Sequence, residues 1–283
     1  MFRLTAASRA LREAVPGELV VVVWAVTLLG SAKFLMVALS LAYWNLERRR
    51  EELLALLSVA FVALSVTLVL KYGFDLPRPP ESVQRYPVGT TEVGFPSGHA
   101  IAATVVYGGA VLVMDRHRDP AAVFAAGALA VVVGLSRVVL GVHYLGDVLA
   151  GWVVGLVVLA AVAVLTERAA VYGFALAAVL SVPALILTGV NGDTVFALGG
   201  SLGGFAGALW RSGAAPFRTG VERAAVNLAG LAVIAGAFLV ESAVEGILVA
   251  AAAVNFLLAF GIVAVPTVVG RVDSLGPRSR TDW

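Results

Sequence analysis

The sequence predicts an all-α fold, a multi-spanning transmembrane helical bundle, and three observations predict it. Hydrophobic residues make up 60% of the chain and charged residues 13%, whereas an ordinary soluble domain carries roughly 25% charged residues. The apolar residues fall into about nine runs, most of them close to the roughly 20 residues that cross a bilayer. Arginines collect between alternate pairs of runs. In hydrocarbon a backbone must satisfy its own polar groups, so helices are the expected form of every run.

The runs are 18–44, 52–73, 97–114, 121–140, 144–165, 169–187, 194–210, 221–240 and 246–268. The first is too long for one straight span and is interrupted by Gly30-Ser31, so a tilted helix and an in-plane segment followed by a short span fit equally. Residues 1–16 carry arginines but no short apolar core with a cleavage site, and are expected to form an interfacial helix rather than a removed signal. Gly199, Gly200, Gly203, Gly204 and Gly207 give the seventh run a small-residue face for close helix packing. Ser97 stands where an N-cap is expected.

Charge narrows the partners. The formal net charge of +2 gives no excess of positive charge for nucleic acid. The absence of cysteine removes disulfides, thiolate catalysis and zinc-thiolate sites. Threading the spans places Arg48, Arg49, Arg50, Arg116, Arg118, Arg168, Arg211, Arg218, Arg223, Arg271, Arg278 and Arg280 on one side, which the positive-inside rule makes cytoplasmic together with the C-terminus. Arg3, Arg9 and Arg12 fall awkwardly on the other side.

Three polar clusters are predicted at that other, extracytoplasmic face. Lys71 and Arg78 leave the second run, Pro96-Ser97-Gly98-His99 opens the third, and Arg137, His143 and Asp147 bridge the fourth and fifth. Ionisable groups at membrane depth are costly and mark function. Together they suit phosphoryl transfer, in which three equatorial oxygens carry developing negative charge. Lys71, Arg78, Arg137 and the backbone around Ser97 and Gly98 can hold those oxygens. His143 can attack phosphorus while Asp147, four residues on and so on the same helical face if the fifth run begins by His143, fixes its tautomer; His99 remains to protonate the leaving oxygen. No metal is needed for this chemistry, and no cofactor or metal-ligand cluster is expected.

These stretches carry the lysine-x6-arginine-proline, proline-serine-glycine-histidine and serine-arginine-x5-histidine-x3-aspartate pattern, and the chain resembles the type-2 phosphatidic acid phosphatase superfamily over roughly residues 30–165. The resemblance implies a helical catalytic core, a phosphohistidine at His143, and phosphate contacts from Lys71, Arg78, Ser97, Gly98 and Arg137. Asp75 and Leu76 depart from the family, many of whose members carry another basic residue there. The expected organisation is an interfacial segment (1–16), a catalytic membrane core (17–168) and a transmembrane extension (169–283). The expected substrate is a lipid or isoprenoid phosphate or diphosphate held at the bilayer boundary. A head-group transferase and a nonenzymatic anion-binding protein stay open beside the hydrolase, and oligomeric state is not legible.

Overall fold

The computed structural model describes residues 2–86, 93–163, 170–211, 219–244 and 246–274; Arg168, Arg218, Glu245, Arg278 and Arg280 lie outside them. Among the described residues every regular element is helical apart from one antiparallel bridge between Pro77 and Val93. The α-helices are α1 (Thr5–Glu13), α2 (Val20–Leu28), α3 (Ala32–Asn45), α4 (Arg50–Phe74), α5 (Gly98–Val113) and α6 (Pro120–Val139). There follow α7 (Leu145–Ala163), α8 (Ala170–Thr188), α9 (Gly192–Trp210), α10 (Gly220–Ala243) and α11 (Leu248–Ser274).

Each apolar run is thus helical, but the first is two helices bent by 48°. The bend falls at Gly30-Ser31 for two local reasons. The Ser31 hydroxyl accepts from the Phe34 amide at 3.3 Å and caps α3. A Cβ on Gly30 would stand 2.3 Å from Val133 and 3.3 Å from the His99 ring, so only glycine lets the bend press against α5 and α6. Among the described residues five helices are long and apolar enough to cross a membrane, and the bent pair makes six. Helix α5 is apolar but shorter.

Helix α4 is the axis. It packs on α3, α5, α7, α8 and α9, and being apolar on every side it is enclosed by them. The glycine face of α9 is spent inside the chain. Cβ atoms on Gly199 and Gly203 would lie 2.8 Å and 2.0 Å from backbone carbonyls of α11, while Gly200 and Gly204 receive the rings of Phe61 and Phe174. Two hydrogen bonds tie α11 to α3. Pro266 has no N–H, so the carbonyl of Ile262, four residues before it, loses its helical donor. The Trp44 indole donates to that carbonyl at 2.9 Å, from a fully buried position at the end of α3. The Tyr43 hydroxyl donates to the neighbouring Val263 carbonyl at 3.1 Å.

Ion pairs collect at the end of the bundle where α4 begins. Arg49 pairs with Asp115, Arg211 with Glu51, and Arg223 with Glu47. The opposite end holds the polar site.

Trp44→Phe should cost about 1 kcal/mol in equilibrium unfolding, the range for a buried hydrogen bond in a membrane protein. In a Pro266→Ala background, where residue 266 regains its own N–H, the loss should shrink. An equal loss in both backgrounds would mean that the indole does not serve the freed carbonyl.

Candidate active site

The site is assembled where α4 and α6 end and α5 and α7 begin. Asp75 adopts a left-handed conformation (φ 46°) and closes α4, its N–H returning to the Lys71 carbonyl at 2.9 Å. Beyond it the chain doubles back, with the Gly94 amide donating to Leu76 O at 2.7 Å, and brings Arg78 over the bundle. Helix α7 crosses α5 closely because Gly151 and Gly155 carry no side chain: Cβ atoms there would meet Ser97 O at 2.8 Å and Thr104 Cβ at 2.7 Å. The first turns of the two helices therefore touch, and the Ser97 amide donates to the Asp147 carbonyl at 2.9 Å.

Between α6 and α7 the chain turns through Gly141, whose φ of +76° and a Cβ-to-Val83-carbonyl distance of 2.4 Å exclude other residues. This turn delivers His143. Its Nε2 lies 2.9 Å from Arg78 Nη1; guanidinium only donates, so Nε2 is the acceptor and Nδ1 carries the proton. Nδ1 stands 3.5 Å from Asp147 Oδ2, longer than a formed hydrogen bond. Helix α7 starts after His143, so the two side chains are not on one helical face as the spacing suggests. They meet because Asp147, in the first turn, folds back to accept from the Tyr144 amide at 2.9 Å, as a capping-box carboxylate does.

His143 is 2% exposed and Asp147 has no exposed surface. Burial first, then the charges of Arg78, Arg137 and Lys71, hold the His143 imidazole well below its ordinary range, so the ring is neutral at neutral pH. Burial also lowers the Arg78 guanidinium to about 10, against the opposing pull of Asp147 and Asp193, and it stays charged.

The predicted residues converge. The His99 imidazole lies within electrostatic reach of Lys71, Arg78, Arg137 and His143. Arg137 is buried in the last turn of α6, with Nη1 on the Thr27 hydroxyl at 3.1 Å and Nε without a protein partner. The expected Ser97 cap is a correction: the residue occupies the N-cap position of α5, but its buried Oγ bonds to nothing in the protein. Native proteins rarely leave such atoms unpaired. Of the few among the described residues, three belong to predicted site residues: Ser97 Oγ, Arg137 Nε and His143 Nδ1.

Lys71, Gly98 and His99 also form the polar end of a cavity of about 250 Å³. Its walls are otherwise apolar, from Leu35 and Leu39 of α3, Phe61 of α4 and Phe196 of α9, with Asp193 of α9 on the rim. Three contributors have no sequence signal: Thr27, Asp193, and Arg3, whose guanidinium donates twice to Asp147. Arg85 ties the N-terminal segment down by donating to the carbonyls of Arg12 and Val15 at 2.8 and 2.7 Å.

Residues 52–170 match the family model of the PAP2 superfamily. That segment is a PAP2 core. It spans α4 to the start of α8 and contains every site residue predicted from the sequence. Phosphatidylglycerophosphatase B of Bacillus subtilis (strain 168) is 39% identical over 75 residues, a stretch covering 24% of this chain and 37% of that relative. The chain therefore spans little more than a third of that relative's length in the match. The crystal structure of a transmembrane PAP2 type phosphatidylglycerolphosphate phosphatase from Bacillus subtilis is similar at 29% identity over 57% of this chain and 85% of that one, with a TM-score of 0.49. With its PAP2 core and its long apolar helices, the chain is a multi-pass membrane protein.

Because the Ser97 hydroxyl has no protein partner, Ser97→Ala should leave the thermal unfolding midpoint unchanged or raised; deleting an unpaired buried hydroxyl is neutral or stabilising by up to about 1 kcal/mol. A clear fall in the midpoint would show that the hydroxyl is tied into the fold.

Proposed function

We propose that the protein is a membrane phosphatase that hydrolyses a lipid or isoprenoid phosphate or diphosphate through a phosphohistidine, with no requirement for a metal ion. The observation that carries this is the state of His143. Its protonated Nδ1 faces a buried carboxylate and its Nε2 lone pair accepts from the Arg78 guanidinium, in a site whose Lys71 and His99 line an apolar cavity.

The reaction follows from that geometry. A substrate phosphate enters among Lys71, Arg78 and Arg137, and Arg78 transfers its hydrogen bond from Nε2 to a phosphate oxygen. The freed Nε2 attacks phosphorus in line. The N–P bond forms as the ester P–O bond breaks, and the leaving oxygen takes a proton from the His99 imidazolium, a state that the bound anionic phosphate favours. The imidazolium so formed is stabilised by Asp147, and the long Nδ1 contact tightens, as hydrogen bonds in resting sites do on reaction. Water then gives a proton to His99 and attacks phosphorus, the N–P bond breaks, and phosphate leaves. The three cations stabilise the equatorial oxygens in both steps. The apolar cavity beyond Lys71 and His99 suits a hydrocarbon tail, which favours an amphiphile over a water-soluble ester.

The site is read as facing the extracytoplasmic side. Support comes from the ion-paired end of the bundle, where Arg48, Arg49, Arg116, Arg118, Arg211 and Arg223 lie opposite the site. The Arg168, Arg218, Arg278 and Arg280 of the same argument lie outside the described residues.

Purified protein should release phosphate from phosphatidic acid, phosphatidylglycerophosphate or a polyprenyl diphosphate in mixed micelles. Activity should persist in EDTA, fall with vanadate, and be lost in His143→Ala by about 10³-fold or more. Brief reaction with ³²P-labelled substrate should leave an acid-labile, alkali-stable label on the wild type and none on the variant. Loss of activity in EDTA, or full activity in His143→Ala, would overturn the mechanism; transfer of phosphate to an added alcohol in place of water would make the protein a transferase.

The chain has no cysteine, so single cysteines report topology cleanly. Glu81→Cys should react with an impermeant maleimide on intact cells, and Arg118→Cys only after lysis. The reverse pattern would place the site in the cytoplasm.

A further inference from the structure

The buried carboxylate of Asp147 is held chiefly by the far N-terminus. Arg3 Nε donates to Oδ1 at 2.9 Å and Arg3 Nη2 to Oδ2 at 2.8 Å, a two-pronged contact across 144 residues of sequence. Arg3 Nη1 donates to Pro77 O at 2.7 Å, and the guanidinium lies 4.5 Å from the centre of the Tyr144 ring. The same segment caps α7. The Gly146 amide donates to Arg3 O at 3.1 Å, and the Leu145 amide to Ser8 Oγ at 2.8 Å. A Cβ on Gly146 would lie 2.4 Å from Phe2 O, so glycine is what admits the segment. A residue held by five hydrogen-bonding or ring contacts is not an interfacial charge.

We propose that Arg3 is a positioning residue for the nucleophile, locking the Asp147 carboxylate in the plane that presents Oδ2 to His143 Nδ1 and sharing its negative charge. This rests on the reading of His143 as nucleophile. The physical argument has two parts. A carboxylate turns about its terminal torsion unless both oxygens are held, and a guanidinium fork is the group that holds both at once. Charge is the second part. With Arg3 in place, the Asp147 charge is divided between guanidinium and imidazole; without it, the whole charge acts on His143 and raises its affinity for a proton. A protonated ring cannot attack phosphorus. The other charged or titratable groups facing the pair are Arg78 from the loop after α4, Lys71 of α4, His99 of α5, Arg137 of α6 and Tyr144 beside His143. Arg78 touches His143 directly, and Arg3 forms the two-pronged ion pair with Asp147.

The test uses the full chain in detergent with wild type, Arg3→Gln and Arg3→Lys, and His143→Ala as the control. Arg3 touches no substrate in this account, so Arg3→Gln should lower kcat about tenfold or more, as loss of catalytic alignment does, with KM little changed. The acidic limb of kcat/KM should move to higher pH by about half a unit or more. Arg3→Lys restores a charge without the fork, so the limb should return while kcat recovers only in part. A structural tie alone would lower yield or unfolding temperature and leave kcat per folded molecule and the pH profile unchanged; that result overturns the proposal. If Arg3→Gln does not fold, Arg3→Lys decides: a reduced kcat upholds the proposal and a wild-type kcat sinks it. The chain has three histidines, so ¹⁵N-histidine NMR can follow His143 directly, assigned by the signal lost in His143→Ala. An upward shift of the His143 titration in Arg3→Gln supports the proposal whether or not phosphate is released. Wild-type protein without His143-dependent hydrolysis, but with that shift, would refute the phosphatase reading and leave the Arg3–Asp147–His143 relay standing.

Discussion

A carboxylate with no accessible surface has to be satisfied from within the protein, and the way Asp147 is satisfied organises one whole end of this bundle. Unpaired, a buried charge is strongly destabilising, so its partners are structural obligations as well as chemical opportunities. Its oxygens draw in the Arg3 fork from the N-terminal segment, the Tyr144 amide from the start of its own helix and, at longer range, the His143 ring. Its backbone carbonyl takes the Ser97 amide and so locks the first turn of α5 to the first turn of α7. Weakening that one carboxylate would loosen a terminus, a helix start and an imidazole together.

Around this centre the chain divides its tasks unevenly. The PAP2 core supplies every group that meets phosphate in the proposed reaction, but it does not enclose them by itself. The bend between α2 and α3 backs His99 and gives Thr27 to Arg137. Helix α9, beyond the core, closes the apolar cavity with Phe196 and sets an acidic side chain, Asp193, at its rim. Helix α11 is fastened to α3 through a carbonyl that Pro266 releases and Trp44 occupies. The extension is therefore a wall of the proposed binding cavity as well as an appendage.

Most of the helices, and the residues that the proposed reaction places around phosphate, stand out in the sequence, for different reasons. Long apolar runs have few alternatives in lipid, and ionisable residues such as Lys71, Arg137 and Asp147 stand out against them. What was not legible depends on contacts that local spacing cannot encode. Arg3 reads as a basic terminus because its partner lies 144 residues away. Thr27 and Asp193 are ordinary residues until folding places them beside the site. The eye goes to the dense glycine face of α9, yet Gly151 and Gly155, sparse and unremarked, set the crossing that brings Ser97 to Asp147. Ser97 misleads in the opposite direction: its position announces a cap, and its hydroxyl declines the part. The four-residue interval from His143 to Asp147 suggested a shared helical face, whereas the carboxylate reaches back from a helix that starts too late to include the histidine.

The union of the first turn of chain with the seventh helix also has a temporal meaning. A ribosome delivers Arg3 144 residues before Asp147, and each intervening hydrophobic segment must enter the bilayer before the two can meet. Until then the amino-terminal helix has no dock and the later histidine no steadied carboxylate. On the proposed mechanism, a partly synthesised chain would carry several of the phosphate-facing side chains without the steadied carboxylate, so competence would arise late in biogenesis.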